Sequence, residues 1–242
     1  MLVTHGVAGG PGVAASHAAA LAARLPGVAV RVACLRGEPR LETVVDGLSA
    51  RLLLLLPVLM ADGYIRDGLE RRLRERGIRP PPLLLPPLGS IPALAAVLTR
   101  MAQRTAREAG LDPATTTLVL VAHGTPKHPA SGRTVAEQAA RIERSGRFAA
   151  VETAFLEQEP FLADRLLRLC RRPAVVVGFF VDAGPHGRDD VRRVLEGFPA
   201  IPYAGVVGER PEVVPLLLDM AQSALRRPPL RTASEATGAA AG

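Results

Sequence analysis

The chain repeats itself. Leu2-Val3-Thr4-His5-Gly6 returns as Leu120-Val121-Ala122-His123-Gly124. Ala61-Asp62-Gly63-Tyr64-Ile65-Arg66-Asp67 aligns with Ala183-Gly184-Pro185-His186-Gly187-Arg188-Asp189, and Leu88-Gly89-Ser90-Ile91-Pro92 is echoed by Val207-Gly208-Glu209-Arg210-Pro211. The matches keep their order at an offset of about 120 residues, a period of domain size that marks a duplicated unit. Whatever the first half folds into, the second half must fold into as well.

Within each half, short Val- and Leu-rich runs of the kind buried on both faces of a parallel sheet alternate with longer amphipathic stretches rich in Ala, Arg and Glu. In the second half this predicts strands at 118–122, 149–155, 174–180 and 201–205, and helices at 131–144, 159–171, 188–196 and 211–226. The expected architecture is α/β: two pseudo-repeated lobes, each a four-stranded parallel doubly wound sheet flanked by helices. Residues 1–112 make the first lobe and 113–226 the second, divided near Gly110, Asp112 and Pro113. The lobes are expected to pack as pseudo-equivalent units. From Pro228-Pro229 to Gly242 the residues are too small and polar to bury a core, so 227–242 is expected to be a disordered tail.

Hydrophobic residues make up 48% of the 242, enough for a core. The strongest apolar run, Leu52 to Ala61, contains Pro57 and is about half the length of a membrane span. His5 and Gly6 come too early for the charged and apolar stretches of a secretory signal, so a soluble cytoplasmic protein is expected, without membrane partners. Cys34 and Cys170 are far apart and in apolar surroundings, which predicts reduced core residues and no disulfide or CxxC site. The net charge of +7 comes almost wholly from arginine, Lys127 being the single lysine. Aromatics at 3% offer no stacking platform among the basic residues, which argues against nucleic acid; a small polycarboxylate suits the charge equally well, and arginine spread over solvated helix faces accounts for most of it.

Ligands of open α/β sheets bind beyond the carboxyl ends of the strands. In the second half those positions hold His123 after the first strand, Glu157 and Glu159 after the second, and His186 after the third. Neutral imidazoles donate lone pairs to borderline metals or accept protons, and a nearby carboxylate orients them or shares the metal. The set suits transient binding of a divalent transition metal. Gly124 and Thr125 allow a tight turn that aims His123 out of the sheet, while Arg133 and Arg188 are placed to clamp carboxylates. Asp189 and Asp190 stand in the first turn of a helix, where capping is their expected role.

Val121-Ala122-His123-Gly124-Thr125, Phe155-Leu156-Glu157-Gln158-Glu159-Pro160 and Phe179-Phe180-Val181-Asp182-Ala183-Gly184-Pro185-His186-Gly187-Arg188-Asp189-Asp190 resemble the three signatures of the sirohydrochlorin chelatases, the CbiX/SirB-type class II family. The likeness runs through the C-terminal half and, more faintly, through the first half. It implies ATP-independent insertion of Co2+ or Fe2+ into sirohydrochlorin, on the way to cobalamin or sirohaem. His123 and His186 would ligate the metal or accept pyrrole protons, Glu157 would assist, and Thr125, Arg133 and Arg188 would bind the polycarboxylate macrocycle. The metal is then a substrate, no cofactor is permanently bound, and a monomer or weak homodimer suffices. Tyr64 stands where the second half has His186, so the first lobe is expected to be a silent wall of the cleft, with His5 structural or at most touching substrate.

Three other readings compete. A histidine phosphatase needs Arg before its His, where this chain has Ala122. A dinucleotide fold would use Gly10-Pro11-Gly12-Val13-Ala14-Ala15, but Pro11 removes a donor from the phosphate turn. A non-catalytic tetrapyrrole or metal carrier would use the same pocket, and sequence separates it poorly from the enzyme.

Overall fold

A computed structural model describes residues 1–61, 64–78, 81–125 and 132–226. The tail expected at 227–242 lies outside the described residues, as do Asp62, Gly63 and Lys127. The first half runs β1 (Leu2–Thr4), α1 (Val13–Ala22), β2 (Val32–Cys34), α2 (Leu41–Asp46), β3 (Leu54–Val58), α3 (Tyr64–Glu75), β4 (Leu83–Leu84) and α4 (Leu94–Glu108). The second runs β5 (Thr117–Ala122), α5 (Arg133–Glu143), β6 (Ala150–Phe155), α6 (Leu162–Leu169), β7 (Ala174–Gly178), α7 (Val191–Leu195), β8 (Tyr203–Val206) and α8 (Val213–Arg226).

The strands form two four-stranded parallel sheets with the same order, β2-β1-β3-β4 and β6-β5-β7-β8. The doubly wound fold read from the repeat is therefore the fold observed. Alternate residues of β5 serve opposite faces, as a strand's period of two requires. Leu118 and Leu120 join one core while Val119 and Val121 join another. Both faces are buried, which is why β5 reads as an unbroken apolar run.

The outer faces are closed separately. α2 and α3 cover the first sheet through Leu41, Val45, Leu69 and Leu73, and α6 covers the second through Leu162, Leu166 and Leu169. Between the sheets lies one continuous core, to which Leu2, Leu54 and Leu56 contribute from one side and Leu118, Leu120, Val175 and Val177 from the other. α1, α4, α5 and α8 fill this middle layer.

The two halves exchange their last helices. α4, the last helix of the first half, packs on β7 and β8 of the second sheet, while α8, the last helix of the second half, packs on β3 of the first. The cause is the apolar stripe of α4. Leu94, Val97, Leu98, Met101 and Ala102 are buried at i, i+3, i+4 and i+7 spacings, a face wide enough to need a whole sheet.

Buried hydrogen bonds fasten the exchange with the same symmetry. His17 Nε2 on α1 donates to the Gly208 carbonyl at 2.8 Å, and Gln138 Nε2 on α5 donates to the Gly89 carbonyl at 2.7 Å. The carbonyls belong to the matching Leu-Gly and Val-Gly turns of the repeat, each contacted from the other half. Glycine is required at both because the chain passes so close: a Cβ at Gly89 would strike the Met60 carbonyl, and one at Gly208 the Val181 carbonyl.

The element ends shift where local chemistry overrides pattern. The third strand of the second half stops at Gly178, before Phe179 and Phe180. The helix expected at 188–196 starts earlier, as a wide turn with π-type spacing over Gly184–Asp190 that runs into α7. Cys34 is buried as expected, but Cys170 is exposed. It is the C-cap residue of α6, one position past Leu169, the last buried leucine, so it stands at the open end of the helix and is not covered as Leu162 and Leu166 are. Among the described residues no helix is long and apolar enough to cross a membrane.

A shared core predicts shared fate. Leu98→Ala, at the centre of α4 on the foreign sheet, is expected to lower stability by roughly 2–5 kcal/mol in chemical denaturation. Far-UV circular dichroism and calorimetry are expected to show one transition for both halves.

Candidate active site

The carboxyl ends of β5, β6 and β7 bring together His123, Glu157 and His186. β5 is central and flanked by β6 and β7, so its end marks the crevice where the strand order reverses. His123 follows β5 directly. Gly124, at φ 75°, then turns the chain under the β6 loop, where a Cβ would crowd Gln158 Cγ at 2.6 Å. The Glu157 amide donates to the His123 carbonyl at 3.0 Å, and the Thr125 amide donates to Gln158 Oε1 at 2.7 Å. The first and second strand-end loops are thereby tied together.

His123, Glu157 and His186 offer ligand atoms that all lie within 4.8 Å of one another. The imidazoles face each other with ring centroids 4.3 Å apart, and His123 Nε2 is 3.4 Å from Glu157 Oε2. Two donors of one ion stand at most about 4.2 Å apart, twice a bond of about 2.1 Å, so small side-chain rotations suffice to close the set on a metal. Each side chain is about half exposed, 42% for His123, 53% for Glu157 and 50% for His186, leaving one side open to a large partner.

The alternative between Glu157 and Glu159 is resolved in geometry. Only Glu157 joins the cluster, while Glu159 lies exposed beside Asp164 and Arg168. Thr125 sits in the His123 loop. Arg133 opens α5 and Arg188 lies in the turn after β7; both are exposed, and neither makes an ion pair among the described residues.

Asp190 has a different role from the expected helix cap. The wide turn brings it over His186, where Oδ2 lies 2.9 Å from Nδ1, while Oδ1 accepts from Arg193 at 3.0 Å. The hydrogen bond from His186 holds the Asp190 carboxyl below its ordinary value, so it is an anion that only accepts. Nδ1 of His186 therefore donates, which leaves Nε2 as the ring nitrogen available to a ligand. The spacing of His186 and Asp190, four apart in a turn, was the available signal.

Asp182 is a second residue whose role the sequence left undefined. Its Oδ1 accepts from the Val13 amide at the start of α1, at 2.6 Å, across the boundary between halves. Glu209 Oε1 accepts from the neighbouring Ala183 amide at 2.8 Å. The Asp182 bond ties the loop before His186 to the first half, and the Glu209 bond braces it within the second. Burial pushes the Asp182 carboxyl up, against the hydrogen bond from Val13.

Burial pulls the His123 imidazole below its usual value, Glu157 and Asp190 oppose that shift, and the nearby His186 adds to it. Its Nδ1 is buried and meets no partner among the described residues. His123 is thus a neutral base at neutral pH. Two imidazoles and one carboxylate, each about half exposed, can hold a divalent cation weakly and accept protons from an N–H group.

The chain is similar to known proteins over nearly its whole length. The family described as CbiX matches residues 117–224. No curated protein sequence matches at a significant level. Among solved structures, CbiX, described as the terminal enzyme for biosynthesis of sirohaem in denitrifying bacteria, is 30% identical at a TM-score of 0.77, covering 92% of this chain and 97% of that one. A multi-domain protein of Deinococcus radiodurans with structural similarity to chelatases is 27% identical at a TM-score of 0.73, covering 91% of this chain and 54% of that one. SirB from Bacillus subtilis, solved with Fe3+, shares the fold at a TM-score of 0.74 and 18% identity, covering 92% and 93%.

The depressed basicity of His123 is directly measurable. Its ring resonances in an NMR titration are expected to move with a midpoint below the ordinary 6.5, and Glu157→Gln is expected to lower that midpoint further by removing an attracting charge. Because folding depresses this pKa, the associated stability is complete above the unfolded imidazole value and is lost as pH falls through the folded one.

Proposed function

The chain belongs to the CbiX/SirB-type chelatase family, and on that premise we propose that it inserts Co2+ or Fe2+ into sirohydrochlorin, without ATP, in the cytoplasm. The observation that carries this reading is the convergence of His123, Glu157 and His186, with ligand atoms within 4.8 Å, on the open end of one sheet.

Insertion joins two events: the cation sheds water, and the macrocycle gives up two N–H protons. Weak ligands serve the first, because a metal held too tightly would not be released to the ring. His186 meets this need, held by Asp190 at Nδ1 and offering a ligand atom beside those of His123 and Glu157. A neutral base serves the second, and His123, depressed by burial, is one at neutral pH. Glu157 carries negative charge beside His123 and offsets the positive charge that builds when the imidazole takes a proton.

Arg133 and Arg188, exposed and without ion-pair partners among the described residues, take carboxylates of the macrocycle, and Thr125 in the His123 loop adds a polar contact to it. The cation is a substrate here, so no permanently bound cofactor is called for. One chain supplies the whole cluster, and a monomer is sufficient.

An absorbance assay with purified protein, sirohydrochlorin and either Co2+ or Fe2+ tests this. His123→Ala and His186→Ala are each expected to reduce insertion by about 100-fold or more, the contribution of a positioned acid–base group, with circular dichroism unchanged. Wild-type rates in both variants would remove the cluster from the mechanism. Asp190→Asn, which keeps the shape of the side chain but not its charge, is expected to weaken Co2+ binding by about 10-fold.

A further inference from the structure

The two halves match more closely at the second strand end than the three obvious repeats suggest. Leu35-Arg36-Gly37-Glu38-Pro39-Arg40-Leu41 corresponds to Leu156-Glu157-Gln158-Glu159-Pro160-Phe161-Leu162. Equivalent backbone hydrogen bonds establish the alignment residue by residue. The Leu35 amide donates to the Thr4 carbonyl and the Leu156 amide to that of Ala122, at 2.9 and 3.1 Å. The Arg36 amide donates to the His5 carbonyl at 2.8 Å, as the Glu157 amide does to that of His123 at 3.0 Å. His5 is therefore the structural counterpart of His123, and Arg36 the counterpart of Glu157.

At this position the duplicated site has inverted its charge. The Arg36 guanidinium acts on His5, whose imidazole is pulled down by burial first and by Arg36 second. A carboxylate and two imidazoles attract a cation, whereas a guanidinium beside an imidazole repels one and attracts an anion. Arg36 is exposed and makes no ion pair among the described residues, while nearby Arg40 and Arg72 are held by Glu38 and Glu42.

The loop that carries His5 is fixed against the loop that carries His186. Asp182 accepts from Val13, and a Cβ on Gly184 would touch Val7 Cγ1 at 3.8 Å. The two half-sites thus stand on adjoining loops at the boundary between the halves, one carrying candidate cation ligands and the other a guanidinium.

We propose that Arg36, with His5 beside it, is a carboxylate-binding subsite that grips the rim of the macrocycle opposite the metal-handling cluster. The first half then holds and orients the substrate with the position that the second half uses for metal and proton chemistry. This rests on the chelatase reading of the cluster. It deepens that reading by assigning one side of the cleft to substrate charge alone.

The test uses the full chain, wild type and Arg36→Gln, Arg36→Glu and Arg36→Lys, with metal-free sirohydrochlorin titrated by absorbance. Arg36→Gln is expected to raise Kd and KM about tenfold, the loss of one charge-assisted contact, with kcat little moved. Arg36→Glu is expected to bind still more weakly, and Arg36→Lys to recover part of the loss. Calorimetry with Co2+ alone is expected to show unchanged metal binding in all three. With an esterified macrocycle, which lacks the anionic rim, wild type and Arg36→Gln are expected to bind alike. Wild-type affinity in Arg36→Gln, or an equal loss on the esterified ring, overturns the subsite. A wild-type chain that binds no sirohydrochlorin overturns the chelatase reading itself.

Discussion

The exchange of α4 and α8 between the halves is the constraint on which the rest of the structure depends. Each helix buries its apolar stripe on the sheet of the other half. Two folding units become one core, and neither sheet is closed on its inner face without the partner's helix. The buried bonds from His17 to Gly208 and from Gln138 to Gly89 add direction to this packing, since each is satisfied only at one relative position of the halves. The cleft inherits that rigidity. Its walls are loops, but the loops are anchored across the boundary by Asp182 on Val13 and on the His186 side by Glu209 on Ala183.

Rigid walls suit the chemistry. A metal in transit needs ligands that are already gathered and only loosely committed, and a proton acceptor that is neutral before substrate arrives. Burial lowers the basicity of His123, and Asp190 sets the tautomer of His186 from behind. Duplication supplied the second wall with the same backbone and freed its side chains to change. The hydrogen bond from the second loop to the first histidine is kept in both halves, while Glu157 on one side becomes Arg36 on the other. One backbone frame carries opposite charges because the frame is held by main-chain bonds that do not depend on those side chains.

Much of this was legible in the sequence. The duplication, the parallel sheets and the placing of His123, His186 and a carboxylate from Glu157 or Glu159 on one edge all follow from local signals: apolar runs with a strand's character, and chemistry-bearing residues just after them. What escaped has a common cause. The second-loop repeat lies at an offset of 121 residues where the histidine repeat lies at 118, so insertions between them hid the match of Arg36 with Glu157 until backbone bonds aligned them. Asp190 read as a helix cap because the π-type spacing that places it over His186 leaves little periodic trace. Cys170 read as buried because its neighbours are apolar and it continues their spacing, but α6 ends at Leu169 and leaves it at the exposed C-cap.

The sequence by itself determined the fold of each half and the inventory of its site, because strand burial, helical stripes and strand-end positions are written in spacing over a few residues. The tertiary structure alone decided that the halves trade helices, that Glu157 and not Glu159 completes the cluster, and that Arg36 occupies the mirror of Glu157. Those outcomes depend on which surfaces meet. An amphipathic stripe such as that of α4 specifies that it must be covered, and only three-dimensional packing specifies by which sheet.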